Sequence, residues 1–494
     1  LLAEEHPMTA QTQIEDFDIV LLGGGTGGTV AAWTFASEGK RVAVIDRKYI
    51  GGSCPNIACL PSKNVIQAAK VASFFRRGRE FGILNANGGP TVDMRLVRER
   101  KRKMVFNLNA DYLENYKNTG AELILGAGRF IAPRTIEVTL ADGKTRQLRG
   151  KNVIVNTGTR ASFEPIPGLV ESQPLTHIEA LELAQLPEHL IVLGSGYVGL
   201  EFAQAMRRFG SKVTVIGRMS RLLHKEDEDV SIALQQLFAD EGIGVLLNAN
   251  VKSVTGKSGE TFRILLEVNG AQKNIEGTHL LTATGRTPNT NDIGLDLAGI
   301  QLTPNGFIKT DEHLATTAPG VYALGEVAGS PFFTHISIDD FRVIHSSISG
   351  DGQRVTTGRV VPFCLFTDPE LAHYGLREKE AQAQNIPYRL FRIPMDAVLR
   401  AKTVSETRGF LKCIVESNSD RILGFTAFGA SAAEIMTAVQ IAMSANLPYT
   451  ALRDTILAHP TWVEGLAPLF TSAAVSKPAA TQNSPAASSK SAAR

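Results

Sequence analysis

The chain is poor in cysteine, with four among 494 residues, and poor in tryptophan, with two. Thiols at Cys54, Cys59, Cys364 and Cys413 cannot build the disulfide framework of a small secreted domain, and only the first two lie close together. A strong charge of either sign is also missing. The formal net charge of +2 gives no reason to expect nucleic acid or an anionic membrane as partner. No uninterrupted apolar run reaches spanning length, so a membrane helix is not expected. Residues 1–7 carry Glu4 and Glu5 without a basic start before an apolar core, so they do not read as a secretory signal, and Met8 is a candidate start. These absences point to a cytoplasmic protein, in which a close cysteine pair signals redox or metal chemistry more often than a staple.

Length and glycine are what the chain does have. At 494 residues it exceeds one ordinary core, and roughly two to four domains are expected. Apolar residues at 43% and charged residues at 20% describe a soluble globular composition. The 45 glycines cluster at the ends of apolar runs. Residues 17–22 form a short β-prone run that stops at such a cluster, 29–37 has helical composition, and 41–46 reads as the next strand. Strand, glycine turn, helix and strand make a βαβ unit with parallel strands. The pattern recurs at 190–193, glycines, a helix through Arg208, and 212–216, so a whole nucleotide-binding domain is duplicated. Segments 151–158 and 280–286 each run from a strand into a glycine turn. From about Val360 the character changes to strands at 409–415 and 421–428 and a helix at 432–445, an α+β domain. Residues 476–494 are rich in Ala, Ser and Pro with almost no large apolar side chains, so disorder is expected there.

Gly23, Gly25 and Gly28 supply GxGxxG spacing between a strand and a helix. The first allows a tight turn, the second admits a pyrophosphate close to the backbone, and the third lets helix and strand pack closely. Asp46 ends the following strand, where a carboxylate can accept from ribose hydroxyls. Gly194, Gly196 and Gly199 repeat the logic, but the strand after them ends in Gly217 and Arg218, with Arg221 on the same turn. An arginine there can pair with a 2′-phosphate that an acid would repel, which favours NADPH over NADH; a pair of solvated surface arginines is the alternative. In the segment 51–63, Cys54 and Cys59 are separated by four residues and can close a small ring. A helix over 64–75 would bring its positive end near the thiols and favour thiolate. No further Cys or His stands nearby to complete a zinc site, so no metal is expected.

The segment Gly51-Gly52-Ser53-Cys54-Pro55-Asn56-Ile57-Ala58-Cys59-Leu60-Pro61-Ser62-Lys63 resembles the signature of the class I flavoprotein disulfide reductases, the group of lipoamide dehydrogenase, glutathione reductase and mercuric reductase. The resemblance runs from about Phe17 to Phe470, with Ala58 where the family usually has glycine. It implies an α/β fold of two Rossmann-like domains, for FAD and NAD(P), plus a C-terminal α+β dimerisation domain. The expected boundaries are 15–160 and 285–350 for FAD, 161–284 for NAD(P)H, 358–472 for dimerisation, and a disordered tail at 473–494. Cys59 is similar to the cysteine that exchanges electrons with the flavin, and Cys54 to the interchange thiol that meets substrate. Lys63 resembles the lysine beside the flavin ring, Glu201 its ion-pair partner, and Tyr197 the aromatic lid over the nicotinamide pocket. Gly52 and Ser53, Thr157 and Gly158, and Gly285 fall among the expected cofactor contacts. Gly325-Glu326 resembles the second FAD contact, normally Gly-Asp, with a carboxylate longer by one methylene. Phe333-Thr334-His335 and Asp339-Asp340-Phe341 are similar to mercuric-reductase-like members. His459 and Glu464 match an HPTxxE element, in which an imidazole moves a proton and a carboxylate fixes its tautomer. In relatives that histidine serves the other subunit, which implies a homodimer.

The function expected from these residues is FAD-dependent reduction of an external disulfide by NADPH through Cys54–Cys59, or the reverse dithiol oxidation. The substrate is a small molecule or a small protein. Two other readings stand beside it. A mercuric-ion reductase is supported by the general resemblance, including Arg408-Gly409-Phe410, and opposed by His459 where a tyrosine is expected and by the absence of cysteines after Cys413. A flavin-binding redox sensor with little turnover is opposed by the intact cysteine loop and the histidine–glutamate pair.

Overall fold

The computed structural model describes residues 13–84 and 91–477. The readings of residues 1–7, of Met8 and of the tail beyond Lys477 lie outside these. Two units are present: Leu1–Leu223 with Gln235–Arg359, and His224–Leu234 with Val360–Arg494.

In the first unit, strand β1 (Ile14–Leu22), helix α1 (Thr26–Ser37) and strand β2 (Val42–Asp46) form the expected βαβ motif, and the two strands pair in parallel from Ile19↔Val42 to Leu22↔Ile45. Two helices follow, α2 (Ser53–Asn56) and α3 (Cys59–Arg76), then the long α4 (Met94–Thr119). Next come β3 (Glu122–Ala132), β4 (Thr135–Leu140) and β5 (Thr145–Val155). The parallel strands β3, β2, β1 and β5 lie side by side, with Val321–Ala323 parallel on the far edge of β5. The extended ends of β3 and β5 take β4 between them as an antiparallel strand. Ile19, Val20, Leu21, Val44, Val153 and Ile154 are at most 2% exposed, as strands covered on both faces require. The second glycine motif opens the helix Tyr197–Phe209 in a separate parallel sheet of His279–Thr282, His189–Leu193, Lys212–Ile216 and Gly244–Leu246, next to a three-stranded antiparallel meander from Ala249 to Gly277.

The second unit is a six-stranded sheet, antiparallel in every pairing, in the order Phe363–Leu365, Glu370–Gly375, Ile422–Gly429, Phe410–Glu416, Tyr388–Pro394 and Val475–Lys477. Helix Ala432–Ser444 buries Ile435, Met436 and Val439 in the same core as Leu411 and Phe425. The α/β fold class is thus borne out.

Two local expectations are corrected. Helix α3 begins at Cys59, not at residue 64, because Pro61 lies in its first turn, where a missing N–H costs nothing. Disorder from 473 onward does not hold for Val475–Lys477, which pairs with Tyr388–Leu390 as an edge strand. No helix among the described residues is long and apolar enough to cross a membrane.

Candidate active site

The redox loop is built against the first glycine loop. Gly52 has φ +78, and a Cβ there would lie 2.5 Å from the Cα of Gly25, so only a bare backbone fits. Ser53 then starts α2, which carries Cys54, and Cys59 is the first residue of α3, at the helix end whose partial positive charge favours thiolate. Both cysteines are free thiols in this structure, and both are half-buried.

Their surroundings treat the two sulfurs differently. Cys59 is brought down to about 6, first by a hydrogen bond from the Cys54 thiol, against the opposing effect of burial, and further by Thr334 and the Lys63 charge. Cys54 is pushed up by that same hydrogen bond and by burial. These opposite directions favour the proton on Cys54 and the thiolate on Cys59. Thr334 Oγ1 lies 3.2 Å from Cys59 Sγ. Lys63 Nζ lies 2.7 Å from Glu201 Oε2, with the Glu201 side chain 6% exposed, so the expected ion pair is present. Tyr197 stands with its ring 6.3 Å from that of Phe333, which stacks on His335 at 5.2 Å.

The structure also tests whether a dinucleotide fits the first glycine loop. Gly23 has φ +103, and a Cβ there would lie 2.4 Å from Asn156 O; at Gly25 it would lie 2.4 Å from Asn156 Oδ1, and at Gly28 2.8 Å from the same oxygen. The backbone N–H groups of Gly25, Thr26 and Gly27 have no acceptor among the described residues, and helix α1 has no side-chain cap. A bare backbone with free donors at a helix start is a cradle for a diphosphate, so FAD fits here. Asp46 accepts from Gly24 N at 2.9 Å through Oδ2, and from Lys48 N and Tyr49 N through Oδ1; Oδ2 keeps capacity for a hydroxyl. Thr157 exchanges hydrogen bonds with Asn289 at 2.8 and 2.9 Å, and Gly158 turns at φ +66.

Glu326 follows Gly325 in a short 3-10 turn. Its Oε2 accepts from Arg286 Nε at 2.9 Å and from the Thr159 hydroxyl, so the longer carboxylate is held by its own chain. Among the described residues Oε1 has no such partner. Gly325 N donates to the buried Asp340 at 2.7 Å.

In the second glycine loop Gly194 has φ +115, and a Cβ on Gly199 would lie 2.3 Å from Gly194 O. Gly196 is the residue before the helix Tyr197–Phe209, and Gly285 turns at φ +151. Arg218 is 68% exposed and lies 3.4 Å from Glu164; Arg221 is half-buried. The second unit holds the remaining pair, His459 Nδ1 to Glu464 Oε2 at 3.0 Å, with the imidazole 65% exposed and the carboxylate 15% exposed. A carboxylate can only accept, so the neutral imidazole carries its proton on Nδ1. Sequence reasoning missed Thr334, Arg286 and Asn156 as site residues; only Asn156 left a signal, as a polar residue ending an apolar strand.

A pyridine nucleotide-disulphide oxidoreductase family model matches residues 17–340, and the dimerisation domain of the same family matches residues 361–469. The probable pyridine nucleotide-disulfide oxidoreductase RclA of Escherichia coli is 31% identical over 458 residues, covering 92% of this chain and 98% of that protein. A mercuric reductase of Staphylococcus aureus is 30% identical, covering 94% of this chain and 84% of its own length. The structure of a Cu(II) complex of the HOCl-induced flavoprotein disulfide reductase RclA from Escherichia coli superposes with a TM-score of 0.84 at 31% identity, covering 92% of this chain and 99% of that one. The family implies FAD and a nicotinamide cofactor, and its dimerisation domain implies a homodimer. This chain belongs to the pyridine nucleotide-disulphide oxidoreductase family and is an FAD-dependent disulfide oxidoreductase.

Proposed function

We propose that the chain takes reducing equivalents from NADPH and delivers them, through the Cys54–Cys59 pair, to an external disulfide of a small molecule or small protein in the cytoplasm. The reading is carried by one observation: Cys59 opens α3 as a half-buried free thiol with Thr334 Oγ1 3.2 Å from its sulfur, five residues after a second half-buried free thiol at Cys54. Bound FAD supplies the chemistry that converts a hydride into an electron pair usable by sulfur.

The residues around that chemistry have distinct tasks. The free N–H groups of Gly25, Thr26 and Gly27 hold a diphosphate, and Asp46 and Glu326 accept from sugar-like hydroxyls. Lys63, fixed by Glu201, holds a positive charge near Cys59. Arg218 and Arg221 receive a 2′-phosphate on the nicotinamide cofactor, which favours NADPH over NADH. Cys54, which keeps its proton, needs a base before it can attack. His459 of the partner subunit, oriented by Glu464, removes that proton and later returns one to the leaving thiolate. Each turnover cleaves one external S–S bond, with two electrons and two protons yielding two thiols.

The test is an anaerobic NADPH titration of wild type, Cys54→Ser and Cys59→Ser, followed by a panel of disulfides. Wild type is expected to show a thiolate–flavin charge-transfer band and reoxidation by a disulfide. Cys54→Ser should keep the band and lose disulfide reduction, and Cys59→Ser should lose both. Disulfide turnover surviving in either variant overturns the reading. Turnover on mercuric ion with none on any disulfide overturns the choice of substrate.

A further inference from the structure

Helix α1 starts at Thr26 with no capping side chain of its own. Its third residue, Gly28, nonetheless has its N–H satisfied, by Asn156 Oδ1 at 3.1 Å, from a residue 128 positions later. The other end of the same amide, Nδ2, donates to Leu324 O at 3.1 Å, immediately before Gly325-Glu326. The backbone of Asn156 is fixed as well, its N–H donating to Leu22 O at 2.8 Å at the end of β1. Only 7% of Asn156 is exposed, and all these contacts lie within the first unit. One side chain therefore ties together the first glycine loop, the end of β5 and the second expected flavin contact.

We propose that Asn156 is a positioning residue for FAD, a cap supplied from a distant part of the same chain that takes the inward N–H of Gly28, leaves those of Gly25, Thr26 and Gly27 for the diphosphate, and holds the Gly325–Glu326 turn in register with them. The chemistry of the amide is what the place requires. Gly28 offers a donor and Leu324 an acceptor, and only a neutral group with one of each answers both. A carboxylate would answer Gly28 but set an acceptor against the Leu324 carbonyl, and it would place a negative charge beside a dianion. An alanine would leave both backbone groups unsatisfied in a buried place. The contact with Gly25 is close enough that a Cβ there would meet Asn156 Oδ1 at 2.4 Å, so the side chain also sets the loop's height. Organising the loop before binding means that the cofactor does not have to order it.

The inference rests on the reading that residues 23–28 receive the FAD diphosphate. The experiment is FAD binding to apoprotein, followed by quenching of flavin fluorescence, for wild type, N156A and N156D, with the apoprotein melting temperature measured in parallel. N156A is expected to weaken FAD about tenfold or more, because binding must then order the loop that Asn156 holds in place. N156D is expected to bind more weakly than N156A at neutral pH. It should recover affinity as the pH falls and the carboxyl becomes a neutral donor and acceptor, while N156A shows no such recovery. FAD affinities of both variants within twofold of wild type overturn the inference. So does a loss in N156D that follows the melting temperature and ignores pH. If N156A does not yield folded apoprotein, the pH series of N156D decides alone. Failure of the wild-type apoprotein to take up FAD strikes at the flavin reading itself, and is thereby told apart from failure of this inference.

Discussion

Replacing Thr334 by valine removes one hydroxyl and keeps the branched shape. The hydroxyl oxygen lies 3.2 Å from Cys59 Sγ, and once Cys59 is a thiolate the threonine is the donor. A hydrogen bond to a charged group contributes about 1.5–3 kcal/mol, and about 1.4 kcal/mol corresponds to one pH unit of titration. The Cys59 titration, now at about 6, should therefore rise by roughly one to two units in T334V. The hydrogen bond from Cys54 and the Lys63 charge remain, so the thiolate is weakened and not abolished. At neutral pH the change turns a mostly ionised sulfur into a largely protonated one. The measurement is charge-transfer absorbance of the NADPH-reduced protein against pH, with T334S as the variant that restores the donor. An unchanged titration in T334V refutes the reasoning, as does a T334S variant that behaves like valine.

Two further outcomes follow from burial in the second unit. Lys412 Nζ lies 2.9 Å from Asp227 and 2.8 Å from Asp229 and is 2% exposed, so K412M should cost about 3–5 kcal/mol in denaturant unfolding by leaving the buried Asp227 carboxylate without its cation; a loss below about 1 kcal/mol contradicts this. His373 is held down from 6.5 to about 4, first by burial and then by Arg377. Its folded value is below its unfolded one, so its contribution is present above pH 6.5 and is lost as pH falls towards 4, and H373Q should flatten the fall of melting temperature across that window.

The glycine loops and the cysteine loop were legible in the sequence because their constraints are local. A left-handed φ at Gly52, or a backbone approach at Gly25, allows one residue type, and that residue shows. The start of α3, expected at residue 64, lies at Cys59, and Pro61 is tolerated there because it stands in the first turn. Thr334 left no such mark, since it meets Cys59 across 275 residues and nothing in its own neighbourhood demands a hydroxyl. Arg286 was equally hidden: its role follows from the longer reach of Glu326, which was seen, but not from anything that says what fills the extra length. The strand Val475–Lys477 was lost in a tail of small and polar residues, because three edge pairings need no periodic pattern.

The close packing of the two N-terminal loops has a consequence for how the site can vary. Gly52 and Gly143 both have a positive φ, +78 and +82, but a Cβ on Gly143 meets nothing within 4 Å, whereas one on Gly52 meets Gly25 Cα at 2.5 Å. G143A should therefore show only the conformational cost of alanine in that region, about 1–2 kcal/mol. G52A carries a backbone cost of its own, since φ +78 with ψ −158 is a region open essentially to glycine alone, and must in addition move one loop off the other, and each loop has its own observable. If the two are one mechanical unit, G52A loses FAD retention and raises the Cys59 titration together, while G143A shifts the melting temperature alone. A G52A protein that keeps its FAD while its thiolate changes, or the reverse, would mean that the loops yield independently and that their contact is incidental to the chemistry.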